Sequence, residues 1–237
     1  MVRPMADSIR YAIYYAPASG SALDHFGAHL LGYDAYCGED LPFPDDLALS
    51  LPDWRELTGD PRKYGFHATL KAPISLAAGR SEAELLAACA AFAGTRRPVP
   101  GITPTVNAIS DFVAIVPVEP SAELEALAAD CVREFDCFRA PLTAEDRARR
   151  NPTKLTPRQC DYLDRWGYPY VMEEFRFHMT LTGRLAAERR GIVVAMLRER
   201  FAALKATSLS IDRIAMFRQD SASARFKIVG HWPLRAR

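Results

Sequence analysis

The chain has 237 residues, enough for one large domain or two smaller lobes with a sizeable core. Its hydrophobic content of 49% and charged content of 25% are those of an ordinary globular protein. A formal net charge of +1 argues against a protein that coats long nucleic acid, but leaves room for a small anionic ligand. The five cysteines (Cys37, Cys89, Cys131, Cys137 and Cys160) are odd in number and form no C-x-x-C pair. Reduced thiols in a cytoplasmic protein suit this pattern better than a disulfide framework or a zinc site. No segment reaches the length of a membrane span, and Met1 to Asp7 lacks the apolar core of a signal peptide.

In chain order, Tyr11 to Ala16 is rich in strand formers and stops at Pro17. Ser21 to Leu31 reads as a helix closed by Gly32, and Pro42 to Arg62 as a long loop. A strand follows, Phe66 to about Pro73. Ser81 with Glu84 forms a capping box for a helix ending at Gly94. Strands are expected over Ile102 to Ile109 and Phe112 to Val118, then a helix from Ser121 to about Phe135. Between Arg139 and Arg158 lie six Lys/Arg against two Asp/Glu. Thr143 with Asp146, and Thr156 with Pro157 and Gln159, open two helices there, the second closed by Gly167. This basic hairpin reads as a solvated helix pair or as a lid over an anionic substrate. A strand over Phe175 to Leu185 and a helix over Ala187 to Leu204 come next. The helix carries Val193, Met196, Leu197, Phe201 and Leu204 as its apolar stripe. Strands over Leu209 to Phe217 and Arg225 to His231 complete the chain.

Two of these strands repeat each other. Gly65 to Lys71 and Arg176 to Thr182 both contain Phe-His-x-Thr-Leu, 111 residues apart. Apolar residues alternate with His67, Thr69 and Lys71 in one copy, and with Arg176, His178, Thr180 and Thr182 in the other. Alternation of period two marks a half-buried strand, so each copy offers a histidine and a threonine on one open face. Phe66, Leu70, Phe177 and Leu181 belong on the buried face. Each histidine strand is followed by helix, strand, strand. The expected architecture is therefore α+β and bilobal, a diverged internal duplication. Lobe one spans about 10–120, connecting helices with the basic insert about 121–172, and lobe two about 173–232.

Two facing imidazoles suit the opening of a phosphodiester. One takes a proton from the attacking oxygen while the other gives one to the leaving oxygen, on opposite sides of phosphorus. Thr69 and Thr180 can donate to the non-bridging oxygens, and Lys71 and Arg176 can neutralise charge. No metal or cofactor is needed. His25 and His29 share a helix face but lack a third ligand. No Gly-rich phosphate loop, serine elbow or partnered cysteine is present.

The pair His67-Ala68-Thr69-Leu70 and His178-Met179-Thr180-Leu181 resembles the twin H-x-T motifs of the two-histidine (2H) phosphoesterase superfamily, which includes 2′-5′ RNA ligase-like proteins. Arg10 to Pro17, Tyr64 to Pro73 and Trp166 to Val171 resemble its bacterial branch associated with phosphonate metabolism. The resemblance implies a 2′-5′ RNA ligase-like fold with pseudo-twofold symmetry and a metal-independent cyclic phosphodiesterase. His67, Thr69, His178 and Thr180 would carry its motifs. The substrate it implies is a small anionic phosphate ester, either a ribose cyclic phosphate or a terminal 2′,3′-cyclic phosphate on a nucleotide or short RNA. Tyr14, Tyr64 or Tyr168 could stack on a base. The alternatives are RNA-ligase-like activity and a protein that binds an RNA end or nucleotide without turnover. No membrane contact or obligate protein partner is expected.

Overall fold

A computed structural model describes residues 9–235; the reading of Met1 to Asp7 lies outside them. Eleven strands and nine α-helices occur among the described residues. The strands are β1 (Arg10–Tyr15), β2 (Tyr33–Asp34), β3 (Glu39–Asp40), β4 (Ala68–Ile74), β5 (Val99–Ile102), β6 (Pro104–Ile109), β7 (Phe112–Pro117), β8 (Met179–Thr180), β9 (Leu209–Ile211), β10 (Arg213–Gln219) and β11 (Lys227–Pro233). The helices are α1 (Ala22–Leu31), α2 (Asp45–Ser50), α3 (Trp54–Leu57), α4 (Gly59–Arg62), α5 (Glu82–Thr95), α6 (Ala122–Phe135), α7 (Ala144–Arg149), α8 (Pro157–Trp166) and α9 (Ala187–Ala202).

The class is α+β, as the sequence implies. Its centre is one antiparallel seven-stranded sheet in the order β11-β10-β1-β4-β8-β7-β6. Apart from the β2–β3 pair with α2 to α4 in the first repeat and α7 with α8 in the second, the chain runs through β-α-β-α-β-β twice, first from β1 to β6 and then from β7 to β10. The last strand of each repeat crosses over: β6 pairs with β7, and β10 pairs with β1. The fifth and ninth strands pair with each other, tying the repeats together a second time. Each half of the sheet is therefore built from both halves of the chain.

Local signals explain most helices. Ser21, Ser81, Ser121, Thr143 and Thr156 all cap helix N-termini with their hydroxyls, and Ser81–Glu84 and Thr156–Gln159 form full capping boxes. Gly32 and Gly167 end α1 and α8 in the left-handed conformation. One sheet face packs against helices. Tyr11, Ile13, Tyr15, Phe66, Leu70, Phe177 and Leu181 share a single core there with residues of α5, α6 and α9. The opposite face carries a smaller cluster of Ala12, Tyr14, Phe217, Tyr33 and Phe226.

Three local expectations are corrected. The stretch Pro42 to Arg62 is not a loop but holds α2, α3 and α4, anchored by the buried Trp54, whose indole donates to Leu30 O (2.8 Å). The strand expected over Leu209 to Phe217 is two, broken at Asp212, and its first piece pairs with β5, which lies mostly ahead of the strand expected over Ile102 to Ile109. The second histidine strand keeps ladder pairing only over Met179–Thr180.

Phe177 is 5% exposed and packs in the main core. Replacing it with Ala should lower the free energy of unfolding by about 3–5 kcal/mol, read from denaturant titration. A change near zero would mean that the buried face is misassigned.

Candidate active site

The two histidine segments meet at the centre of the sheet. β4 and β8 are joined through Ala68 opposite Met179. Extending this antiparallel register by one residue sets His67 opposite Thr180 and Thr69 opposite His178. Because side chains alternate, all four lie on the face away from the helices. His67, Thr69, His178 and Thr180 line one cleft of about 410 Å³, together with Tyr14, Tyr64, Phe112, Tyr168, Arg10 and Arg150.

Both imidazoles are held in the same way. His67 Nδ1–H donates to Gly65 O (2.8 Å), and His178 Nδ1–H to Arg176 O (2.7 Å). A carbonyl can only accept, so Nδ1 carries the proton and Nε2 is the free lone pair of the neutral ring. Thr69 Oγ1 lies 3.4 Å from His67 Nε2. Gly65 has φ +73°, which sets its carbonyl at the imidazole, and an added Cβ would stand 2.7 Å from the Ala35 methyl.

The surroundings of the two rings differ. Tyr14 stacks on His67 with centroids 3.9 Å apart and planes 20° apart. In the register of the repeat, Tyr14 faces Thr69 as Ala114 faces Thr180, so His178 has no such cover. Phe112 instead approaches it at 5.6 Å. Burial lowers the His67 pKa from 6.5 to about 4, the Gly65 carbonyl opposing and His178 adding to the shift. Burial also lowers that of His178, against the pull of the Arg176 carbonyl. Tyr14 and Tyr168 are raised by burial and stay protonated.

Of the other expected site residues, Tyr64 lines the cleft, with its ring 6.1 Å from that of His67 and stacked on Phe226. Arg176 is exposed and lines an adjoining, mostly apolar cavity of about 440 Å³ that shares Thr69, Phe112, Tyr168 and His178 with the cleft. Lys71 is corrected: it faces away from the cleft. Its side chain is 3% exposed and donates to Val132 O (3.1 Å) and Asp136 Oδ1 (2.7 Å) at the C-terminal end of α6. The cause is a register shift. Tyr14 pairs with Thr69, yet its neighbour Ile13 pairs with Lys71, so the extra residue inverts the alternation. Lys71 thereby satisfies a terminal helix carbonyl. The equivalent Thr182 is likewise structural, accepting from Val113 N (3.0 Å) and donating to Gly183 O (2.9 Å).

Sequence reasoning assigned no site role to Arg10 or Arg150. Arg10 opens β1 and lies over Phe226 (5.5 Å), while Arg150 follows α7 and lies over Tyr168 (5.0 Å). The basic insert thus supplies Arg150 and Tyr168 to the cleft wall. Its helices are joined by Arg147 to Asp164 (2.6 Å), and Arg139 connects Asp136 (2.8 Å) to Arg165 O (3.0 Å). The excess of basic residues over 139–158 was the available signal.

Residues 69–227 match the protein family described as "Protein of unknown function (DUF1045)". The chain belongs to this family. It is 36% identical over 236 residues to a protein named ribose 1,5-bisphosphate phosphokinase PhnN from Janthinobacterium sp. (strain Marseille), covering 95% of this chain and 51% of that one. A protein of the same name from Laribacter hongkongensis (strain HLHK9) is 30% identical over 220 residues, covering 93% and 50%. The chain spans about half the length of these curated relatives. Among solved structures it is similar to E. coli LigT complexed with 3′-AMP, at 14% identity and a TM-score of 0.39, covering 98% of this chain and 99% of that one.

The imidazole shifts give a direct expectation. With a folded pKa below the unfolded 6.5, the unfolded chain binds the extra proton between the two values. The stabilisation from neutral His67 is whole above pH about 6.5 and is lost as pH falls toward about 4. NMR titration of the His67 Cε1–H signal should show a midpoint near 4, moving upward in His178→Asn. A midpoint at 6.5 or above would contradict the enclosure described.

Proposed function

We propose that the protein is a metal-independent phosphoesterase that opens a cyclic phosphodiester, a ribose cyclic phosphate or a nucleotide 2′,3′-cyclic phosphate, by two-histidine acid/base catalysis. The observation that carries this reading is the pair of imidazoles on adjoining strands, each fixed through Nδ1 with Nε2 available to the same cleft. The twin motif resembles that of the 2H phosphoesterases. The relatives' name, ribose 1,5-bisphosphate phosphokinase PhnN, is consistent with a role beside sugar phosphates in phosphonate metabolism.

In this scheme phosphate lies between the rings. His67, under Tyr14 and the more depressed of the two, takes a proton from the attacking water as its oxygen bonds to phosphorus. The opposite phosphorus–oxygen ester bond breaks, and protonated His178 gives its proton to the leaving oxygen. The products are a phosphomonoester and a free hydroxyl. Proton exchange with solvent restores neutral His67 and charged His178. Thr69 and Thr180 donate to the non-bridging oxygens, where negative charge rests in the transition state. Tyr64 supports the sugar or base, and Arg176 adds positive charge beside His178. A bound anion raises imidazole pKa values, which favours the charged form of His178 while substrate is present.

Replacing either histidine with Ala should lower turnover of 2′,3′-cyclic AMP by roughly 10²–10⁴ with the fold intact. The double replacement should cost less than the product of the two, since acid and base act in one step. Activity should fall at low pH as His67 protonates near 4, and at higher pH as His178 loses its proton. His67→Ala should remove the acid limb and His178→Ala the alkaline limb. Turnover lost to EDTA and restored by a divalent metal would point instead to metal-bound water as nucleophile.

A further inference from the structure

The cleft holds two cations that the proton transfers do not use. Arg10 enters from β1 and Arg150 from the turn after α7, and both line the same cavity as the histidines. Among the described residues neither guanidinium pairs with a carboxylate. Arg10 Nε donates to the neutral Gln219 Oε1 (2.8 Å) and lies over Phe226, while Arg150 lies over Tyr168. This contrasts with Arg147 and Arg149 on the same insert, which pair with Asp164 and Asp146, and with Arg184 at the cleft rim, which pairs with Asp111 (3.4 Å).

Both arginines bear on one point. The buried Tyr14 feels the positive charge of Arg10 and of Arg150, and also the nearby Tyr64 and Tyr168. An aromatic wall joins them: Tyr64 stacks on Phe226 at 5.2 Å, and Phe226 carries Arg10. Tyr14 and Tyr168 stay protonated, so their hydroxyls donate. Two planar guanidiniums without acidic partners, beside phenol donors, form a receptor for a tetrahedral oxyanion. Arg10 and Arg150 line the same cleft as the histidine pair, and Tyr14, which covers the ring face of His67, stands among them.

We propose that Arg10 and Arg150, with the hydroxyls of Tyr14, Tyr64 and Tyr168, form a second anion subsite that holds a phosphomonoester carried by the same substrate whose cyclic phosphodiester lies between the histidines. The substrate class is then a ribose cyclic phosphate bearing a further phosphate on its primary hydroxyl. This rests on the cyclic phosphodiesterase reading and narrows it. It also gives the basic insert a function: α7 brings Arg150 to the cleft.

The test uses 2′,3′-cyclic AMP and the same nucleotide carrying a 5′-phosphate. With charge-assisted hydrogen bonds from two guanidiniums, the 5′-phosphorylated compound should be favoured about tenfold or more in kcat/KM. That preference should fall toward unity in Arg150→Gln and in Arg10→Gln. Arg150 is exposed, so its replacement leaves the core intact even if loss of the Arg10–Gln219 bond disturbs β1. Equal rates on the two compounds in the unmodified protein, or a preference that survives both replacements, would overturn the subsite. If neither compound is turned over, the reaction assignment fails and calorimetry on the same proteins decides the subsite separately. Tighter binding of the 5′-phosphorylated compound, lost in Arg150→Gln, supports it; equal affinity overturns it.

Discussion

The site depends on one junction, the antiparallel pairing of Ala68 with Met179. It links β4 to β8 in the ladder that joins the two halves of the sheet. A one-residue slip there would turn the histidine of one strand into the core and expose its phenylalanine. Several features hold it in register. Phe66 and Phe177 flank it in the helix-covered core, and Gly27 leaves room for the Phe66 ring, which an added Cβ would strike at 2.0 Å. Strand exchange by β6 and β10, with the β5–β9 pair, keeps the halves from parting along this line. Beyond the junction, the Gly65 and Arg176 carbonyls serve the imidazoles. This accounts for the short ladder of β8.

Duplication supplies two similar histidines, and later divergence makes them unequal. Tyr14 occupies the place that Ala114 holds in the other repeat, so one imidazole is covered by a ring face and the other is not. Burial acts on both, but His67 also feels His178. A symmetric pair would share a proton without preference. In the proposed reaction, an unequal pair separates the roles of base and acid between the attacking and leaving oxygens.

The motif was legible because it is a local pattern written twice, and the helix starts because capping is local chemistry. Ser81–Glu84 and Thr156–Gln159 each show their hydrogen bonds in four consecutive residues. Lys71 was misplaced because alternation assumes an unbroken ladder, and the inserted residue at Leu70–Lys71 is visible only in the partner strand. The break at Asp212 was missed for a related reason: the run from Leu209 to Phe217 reads as continuous, while its first piece answers to a different partner. The helices between Asp45 and Arg62 depend on Trp54 finding Leu30, a tertiary contact that Pro and Asp content conceals. Arg10 and Arg150 are 140 residues apart in sequence and share a cleft only because β1 and the insert both border it.

The central claim is that both imidazoles act on one phosphorus. It is tested most directly by titrating orthovanadate, a mimic of five-coordinate phosphorus, into protein labelled with ¹⁵N-histidine. The account predicts that the Nε2 signals of His67 and His178 move together at a single stoichiometry of one vanadate per chain. One ring should become imidazolium, and Nδ1 of both should stay protonated against Gly65 and Arg176. A response confined to one histidine, or two vanadates bound independently, would contradict it.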